Sequence, residues 1–169
     1  MCDTNFLETF LTWARSKERV KAFTLVELLI VLAIAGTLSG IAVPVYRNYT
    51  DESNNATAIT DVRRIEGVIE AFRAERGRPP DTLAEAGLGA QLDPWGNQYR
   101  YLRLEFAGVD PKTIPGHRKD AAMNPLNADF DLYSMGKDGL TTVQLVAPAA
   151  YDDIVRANNG AYVGLGSEY

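Results

Sequence analysis

The chain has 169 residues, 46% of them hydrophobic and 23% charged, and a formal net charge of −5. That acidic balance argues against nucleic-acid binding through a basic face, and a single histidine with a single cysteine leaves most acid-base and nucleophilic constellations without parts. Once a leader and an apolar span are set aside, about 120 residues remain, which suits one compact domain.

Residues 1–22 carry Arg15, Lys17, Arg19 and Lys21 against Asp3, Glu8 and Glu18, and Phe6, Leu7, Phe10, Leu11 and Trp13 give them a short amphipathic pattern. They read as a tail of charge +1 without a folded role. Residues 23–46, FTLVELLIVLAIAGTLSGIAVPVY, follow, and from Leu28 to Tyr46 no side chain is charged. As a helix those nineteen residues would extend about 28 Å, enough to cross the hydrocarbon core of a bilayer. The basic residues just upstream place 1–22 in the cytoplasm and the remainder across the membrane. Glu27 is out of place in this segment, since a carboxylate at the centre of a span costs roughly 2.5 to 3.5 kcal/mol. A cut between Ala22 and Phe23 would free an ammonium four residues before Glu27, on the same helix face, and so neutralise it.

The run Lys21-Ala22-Phe23-Thr24-Leu25-Val26-Glu27-Leu28-Leu29-Ile30 resembles the cleavage and methylation signal of type IV pilins and type II secretion pseudopilins. The resemblance implies that a prepilin peptidase removes residues 1–22 and methylates Phe23, leaving Glu27 as the fifth residue of the mature chain. Pro44 falls where the family often carries a kinking proline, whereas Ala22 stands where the family usually has glycine. Removal of the leader discards Cys2, so the exported part would have no disulfide and a charge of −6. Three plainer readings compete. A secretory signal could be cut at Ala33-Ile34-Ala35, but Glu27 interrupts its core and the apolar run continues beyond. A plain anchor could let Glu27 snorkel. A buried helix of a soluble protein would need a shorter, less uniform run.

Gly36, Gly40 and Pro44 weaken the helix at regular steps, and the two glycines satisfy small-xxx-small packing, so these three and Glu27 are the assembly candidates. Ile59, Val62, Ile65, Ile69 and Phe72 then recur at helical spacing and predict an amphipathic continuation, ended by Gly77-Arg78-Pro79-Pro80. Asp81 or Thr82, the latter at capping-box spacing from Glu85, is expected to cap a short helix closed by Gly87 and Gly89. The stretch 93–101 reads as a turn at Gly96-Asn97 feeding a strand through Tyr99 and Tyr101, and 107–128 as a long loop in which His117 stands alone. A second strand covers Phe130, Leu132 and Ser134, followed by a turn over Gly136–Gly139. A third strand is expected over Val143–Val146 and a helical turn over Tyr151–Asn159. The fold class is α+β and pilin-like: a long N-terminal helix, transmembrane in its first half and amphipathic in its second, packed on a small antiparallel sheet of about three strands with long loops. The domain boundaries are a leader at 1–22, a transmembrane part at 23–46 and a periplasmic globular part at 47–169.

DPWGNQYRY (93–101) and DLYSMGKDG (131–139), in that order behind such a helix, are similar to the globular half of the family's major pseudopilin branch. In that branch calcium pins the C-terminal loops through aspartates and backbone carbonyls. The resemblance therefore implies a calcium site at Asp138 with the carbonyl of Met135 or Ser134, completed by Asp152 and Asp153. Calcium takes six to eight oxygens, which acidic loops can supply. Without hydrolase, P-loop, zinc-protease or dinucleotide motifs the chain is expected not to be an enzyme. The first functional expectation is the major structural subunit of a secretion pseudopilus, held in the inner membrane and polymerised as a homo-oligomeric helical filament. Its implied partners are prepilin peptidase, minor pseudopilins, inner-membrane secretion components and, before assembly, the lipid bilayer. A type IV pilus subunit for adhesion, motility or DNA uptake is the second expectation, and an uncleaved, anchored periplasmic binding module the third.

Overall fold

The computed structural model describes residues 23–169; the leader, Cys2 and Ala22 lie outside the described residues. The chain divides after Val45 into two units. A single helix, α1 (Leu25–Arg76), supplies nearly all of the described part of the first unit and opens the second.

In the first unit α1 is apolar on all sides. Its best 18-residue window has a mean hydropathy of 2.4, and none of that window is buried. A helix with this composition has no polar face to give to water, and it is long and apolar enough to cross a membrane.

From Tyr46 onward α1 becomes amphipathic. Ala58, Val62, Ile65 and Ile69, at steps of four, three and four, are fully buried, with Ile59 packed beside them. Their neighbours Arg63, Arg64 and Gly67 face outward. The helix stops at Gly77, whose φ of +73° lets its N–H return to the Arg73 carbonyl at 2.8 Å.

The sheet has four strands, β1 (Arg100–Arg103), β2 (Phe130–Ser134), β3 (Ile154–Ala157) and β4 (Tyr162–Leu165), in that spatial order and antiparallel throughout. Tyr101 faces Leu132, Ser134 faces Ile154, and Val155 faces Gly164. Phe130, Leu132 and Ile154 meet the α1 stripe. The neighbouring positions Tyr133, Val155 and Ala157 turn to the other face, where Leu126 and Leu145 from the long loops cover them. Both faces of the sheet are therefore enclosed, one by a helix and one by irregular chain.

Three expectations need correction. Val143–Val146 forms no strand; it makes one isolated bridge, Lys119 to Gln144, and sends Leu145 into the second cluster. The third strand is β3, inside the segment expected as a helical turn, and β4 was not expected. Every residue of β3 is buried, Arg156 included, so the alternation that marks a half-exposed strand is missing there. Finally, Thr82–Gly87 is a chain of turns, not a helix. The Glu85 N–H does reach Thr82 Oγ1 at 3.4 Å, but the backbone bonds run three residues back and Gly87 breaks away at a φ of +74°.

Candidate functional site

Phe23 is exposed ahead of α1, and the next residue, Thr24, begins a reciprocal cap. Glu27 Oε2 accepts the Thr24 N–H at 2.8 Å and the Thr24 hydroxyl at 2.7 Å, while Thr24 Oγ1 accepts the Glu27 N–H at 3.2 Å. This is a capping box, and within the single chain it satisfies one oxygen of the carboxylate that hydropathy left unexplained. The Thr-x-x-Glu spacing of residues 24–27 is the sequence signal of this cap. At Gly36 and Gly40 an added Cβ would meet nothing, so the chain itself imposes no need for their small size. Pro44 lies inside α1 without ending it.

The four residues of the expected calcium site fall on two loops. One is the turn after β2, fixed from several sides. Ser134 Oγ donates to Asp93 Oδ2 at 2.5 Å and accepts the Gly136 N–H at 3.1 Å, Asn97 Nδ2 donates to the Gly136 carbonyl at 3.3 Å, and Lys137 Nζ reaches Asp51 on α1 at 2.7 Å. The other is the segment before β3. The two touch where the Asp138 N–H donates to Asp152 Oδ2 at 2.9 Å. Gly136, at a φ of +64°, approaches Asp152 so closely that a Cβ would overlap its carbonyl and carboxylate. Asp138 turns its Oδ1 back to the Leu140 N–H at 2.7 Å, and Met135 is half-buried beside them in sequence.

Asp153 faces inward instead. Its side chain is fully buried, and Oδ2 accepts from Arg118 Nη2 at 2.6 Å and from Thr141 Oγ1 at 2.6 Å. Its Oδ1 is buried with no hydrogen-bond partner. Burial pushes the Asp153 carboxyl above its usual range, although Thr141 and Arg118 pull it down. Asp138 and Asp152 are thus brought together, and Asp153 lies next in chain. No group of three His, Cys, Asp or Glu side chains placed to hold a metal occurs among the described residues. A calcium ion fits this donor set only if backbone carbonyls contribute, and the unsatisfied Asp153 Oδ1 is the observation in its favour.

Arg118, from the long loop, was not a sequence candidate. It is 2% exposed, its guanidinium lies 4.1 Å from the Tyr133 ring centre, and Nη1 donates to Thr141 Oγ1 at 2.8 Å. Nothing in the sequence separates it from a solvated loop arginine. His117 beside it is held by the Ile114 carbonyl and Asn124 Oδ1, as a structural residue would be. A second buried guanidinium, Arg156, joins the helix to the sheet: Nε donates to Glu66 at 2.7 Å and Nη2 to Asp129 at 2.8 Å, over the Phe130 ring. Burial disfavours its charge, yet the two carboxylates hold it protonated more firmly than usual.

Residues 18–43 match the family described as the prokaryotic N-terminal methylation motif. Over 154 residues the chain is 26% identical to type II secretion system core protein G of Dickeya chrysanthemi, covering 86% of this chain and 93% of that one. The protein of the same name from Pseudomonas aeruginosa is 25% identical over 73% of this chain and 87% of its own. The type IV major pilin PilA of Myxococcus xanthus is 33% identical, over 56% of this chain but only 42% of its own. No solved structure matches.

Proposed function

We propose that this chain, which belongs to the type IV pilin and type II secretion pseudopilin family, is the major structural subunit of a type II secretion pseudopilus. The observation that carries this reading is the extent of the similarity. Relatives named core protein G are matched across nearly their whole length, globular half included, while the pilin PilA is matched over less than half. The second reading, a type IV pilus subunit, rests on the higher identity within that shorter match.

The residues divide the work physically. The apolar first part of α1 holds the unassembled subunit in the inner membrane, with the basic leader in the cytoplasm and the globular part in the periplasm. Prepilin peptidase cuts between Ala22 and Phe23 and methylates the Phe23 amine. On release from lipid the same apolar surface packs against copies of itself in a homo-oligomeric helical filament, with Gly36 and Gly40 allowing close approach and Pro44 and the glycines letting the helix loosen. Glu27, freed from Thr24, takes a subunit amine as its partner and sets the register. Minor pseudopilins and inner-membrane secretion components are the further partners this role implies. Without catalytic motifs, the role is structural. Calcium is proposed at Asp138, Asp152, the free Oδ1 of Asp153 and the Met135 carbonyl, where it would fasten the two C-terminal loops together.

Intact mass of the chain extracted from membranes tests the processing on which this reading depends. The expected product lacks residues 1–22, begins at Phe23 and carries one added methyl group. A chain that keeps its leader would instead support an anchored periplasmic module.

A further inference from the structure

The long loop before β2 is unexplained by assembly, yet it delivers a guanidinium to the deepest carboxylate of the C-terminal loops. Arg118 is 2% exposed and Asp153 fully buried, 2.6 Å apart, and Thr141 bonds to both. The loop is pinned on either side of that point. The Arg118 N–H donates to Asp131 Oδ2 at 2.7 Å, the Leu126 N–H to the Arg118 carbonyl at 2.8 Å, and Lys119 exchanges backbone bonds with Val143 and Leu145 at 2.8 and 3.1 Å. The guanidinium thus ties three segments together: the 107–128 loop, the Thr141 stretch and the start of β3. Only one oxygen of Asp153 is used, and the other remains without a partner.

We propose that Arg118 is a resident cation for the C-terminal loops, fastening Asp153 from the inside so that Arg118 and a divalent ion partly replace one another. The calcium half of this statement rests on the reading given above; the Arg118 half stands on the geometry alone. An ionised carboxylate is costly to bury without a partner, and at Asp153 the Arg118 guanidinium supplies the opposite charge. With Arg118 in place, the loops keep one cationic tie when calcium is absent. Its positive charge also repels a second cation at the same carboxylate, so each is worth less when the other is present. By linkage, removing Arg118 must then enlarge the stabilisation that calcium gives.

The test uses the full chain in detergent micelles, with thermal unfolding and limited proteolysis of the 136–152 loops in calcium or in chelator. Wild type, Arg118→Met and the charge-conserving Arg118→Lys are compared. In chelator, Arg118→Met should melt lower by on the order of 10 °C and lose protease resistance at Lys137 and Tyr151. Calcium should restore much of that loss, giving a larger shift in Arg118→Met than in wild type, while Arg118→Lys stays close to wild type. An Arg118→Met chain as resistant as wild type in chelator would overturn the proposal, as would equal non-zero calcium shifts in the two. If neither chain responds to calcium and Arg118→Met still opens the loops, the calcium reading fails and Arg118 is the sole cation. Should Arg118→Met not fold, the proposal stands only if Arg118→Lys folds and keeps its loops closed in chelator; an open Arg118→Lys chain would overturn it.

Discussion

Asp131 shows how one residue ties the domain to pH. It is 1% exposed on β2, and its two oxygens accept from Asn127 Nδ2 at 2.8 Å and from the Arg118 N–H at 2.7 Å. Neither donor is a charged group, so burial dominates and raises its pKa, with the two bonds opposing. A carboxyl whose folded pKa lies above its unfolded value favours folding below the unfolded value, near 4, and loses that contribution as pH rises through the folded one. For the full chain in detergent, the denaturation midpoint should therefore fall from this group as pH is raised from about 4 toward neutrality. Asp131→Asn should flatten that part of the profile. Parallel profiles for the two chains would mean that the pH dependence originates elsewhere.

At the scale of elements, α1 is one helix under two sets of demands. Beyond Tyr46 its buried stripe is the floor of the core, so Ile65→Ala should cost about 2 to 5 kcal/mol, read as a lower denaturation midpoint. Before Tyr46, Gly36→Leu meets nothing within the subunit and should leave that midpoint unchanged, while reducing the yield of sheared filaments. Normal filament yield from Gly36→Leu would remove close helix packing at this position from the assembly account. The two halves of the helix were legible in advance because each expresses its environment in a simple pattern: unbroken apolarity in one and a step of three or four in the other. The strands were less so. β1 and β2 follow turn residues and aromatic alternation, but β3 is buried on both faces and gives no period, and the apolar Val143–Val146 stretch invited the strand that β3 supplies. β4 opens just after Asn158 and Asn159 at positive φ, and its two strong strand formers, Tyr162 and Val163, are cut off by Gly164, a run too short to announce itself.

At the scale of the molecule, the proposal requires one subunit to be stable in two surroundings, lipid and filament. Thr24 gives Glu27 a local partner in the single chain, and the proposed assembly would exchange it for a subunit amine. Glu27→Leu should therefore insert normally, since it removes a polar group from the span, yet yield no filaments; membrane fractionation and shearing separate the two effects. Filaments of normal yield from that variant would take Glu27 out of the assembly step.

The long helix, and the residues proposed to direct membrane insertion and processing, were legible in the sequence itself, because hydropathy, charge asymmetry and the Phe23 to Glu27 spacing act over a few neighbouring positions. The Thr24 cap was equally local and equally readable. Only the tertiary structure decided that Asp153 turns inward to Arg118, that Arg156 locks Glu66 to Asp129, and that Asp138 and Asp152 share one corner. Those partners lie 14 to 90 positions apart in the chain, and the cost of leaving such a polar or charged group without a partner arises only when folding takes it out of water.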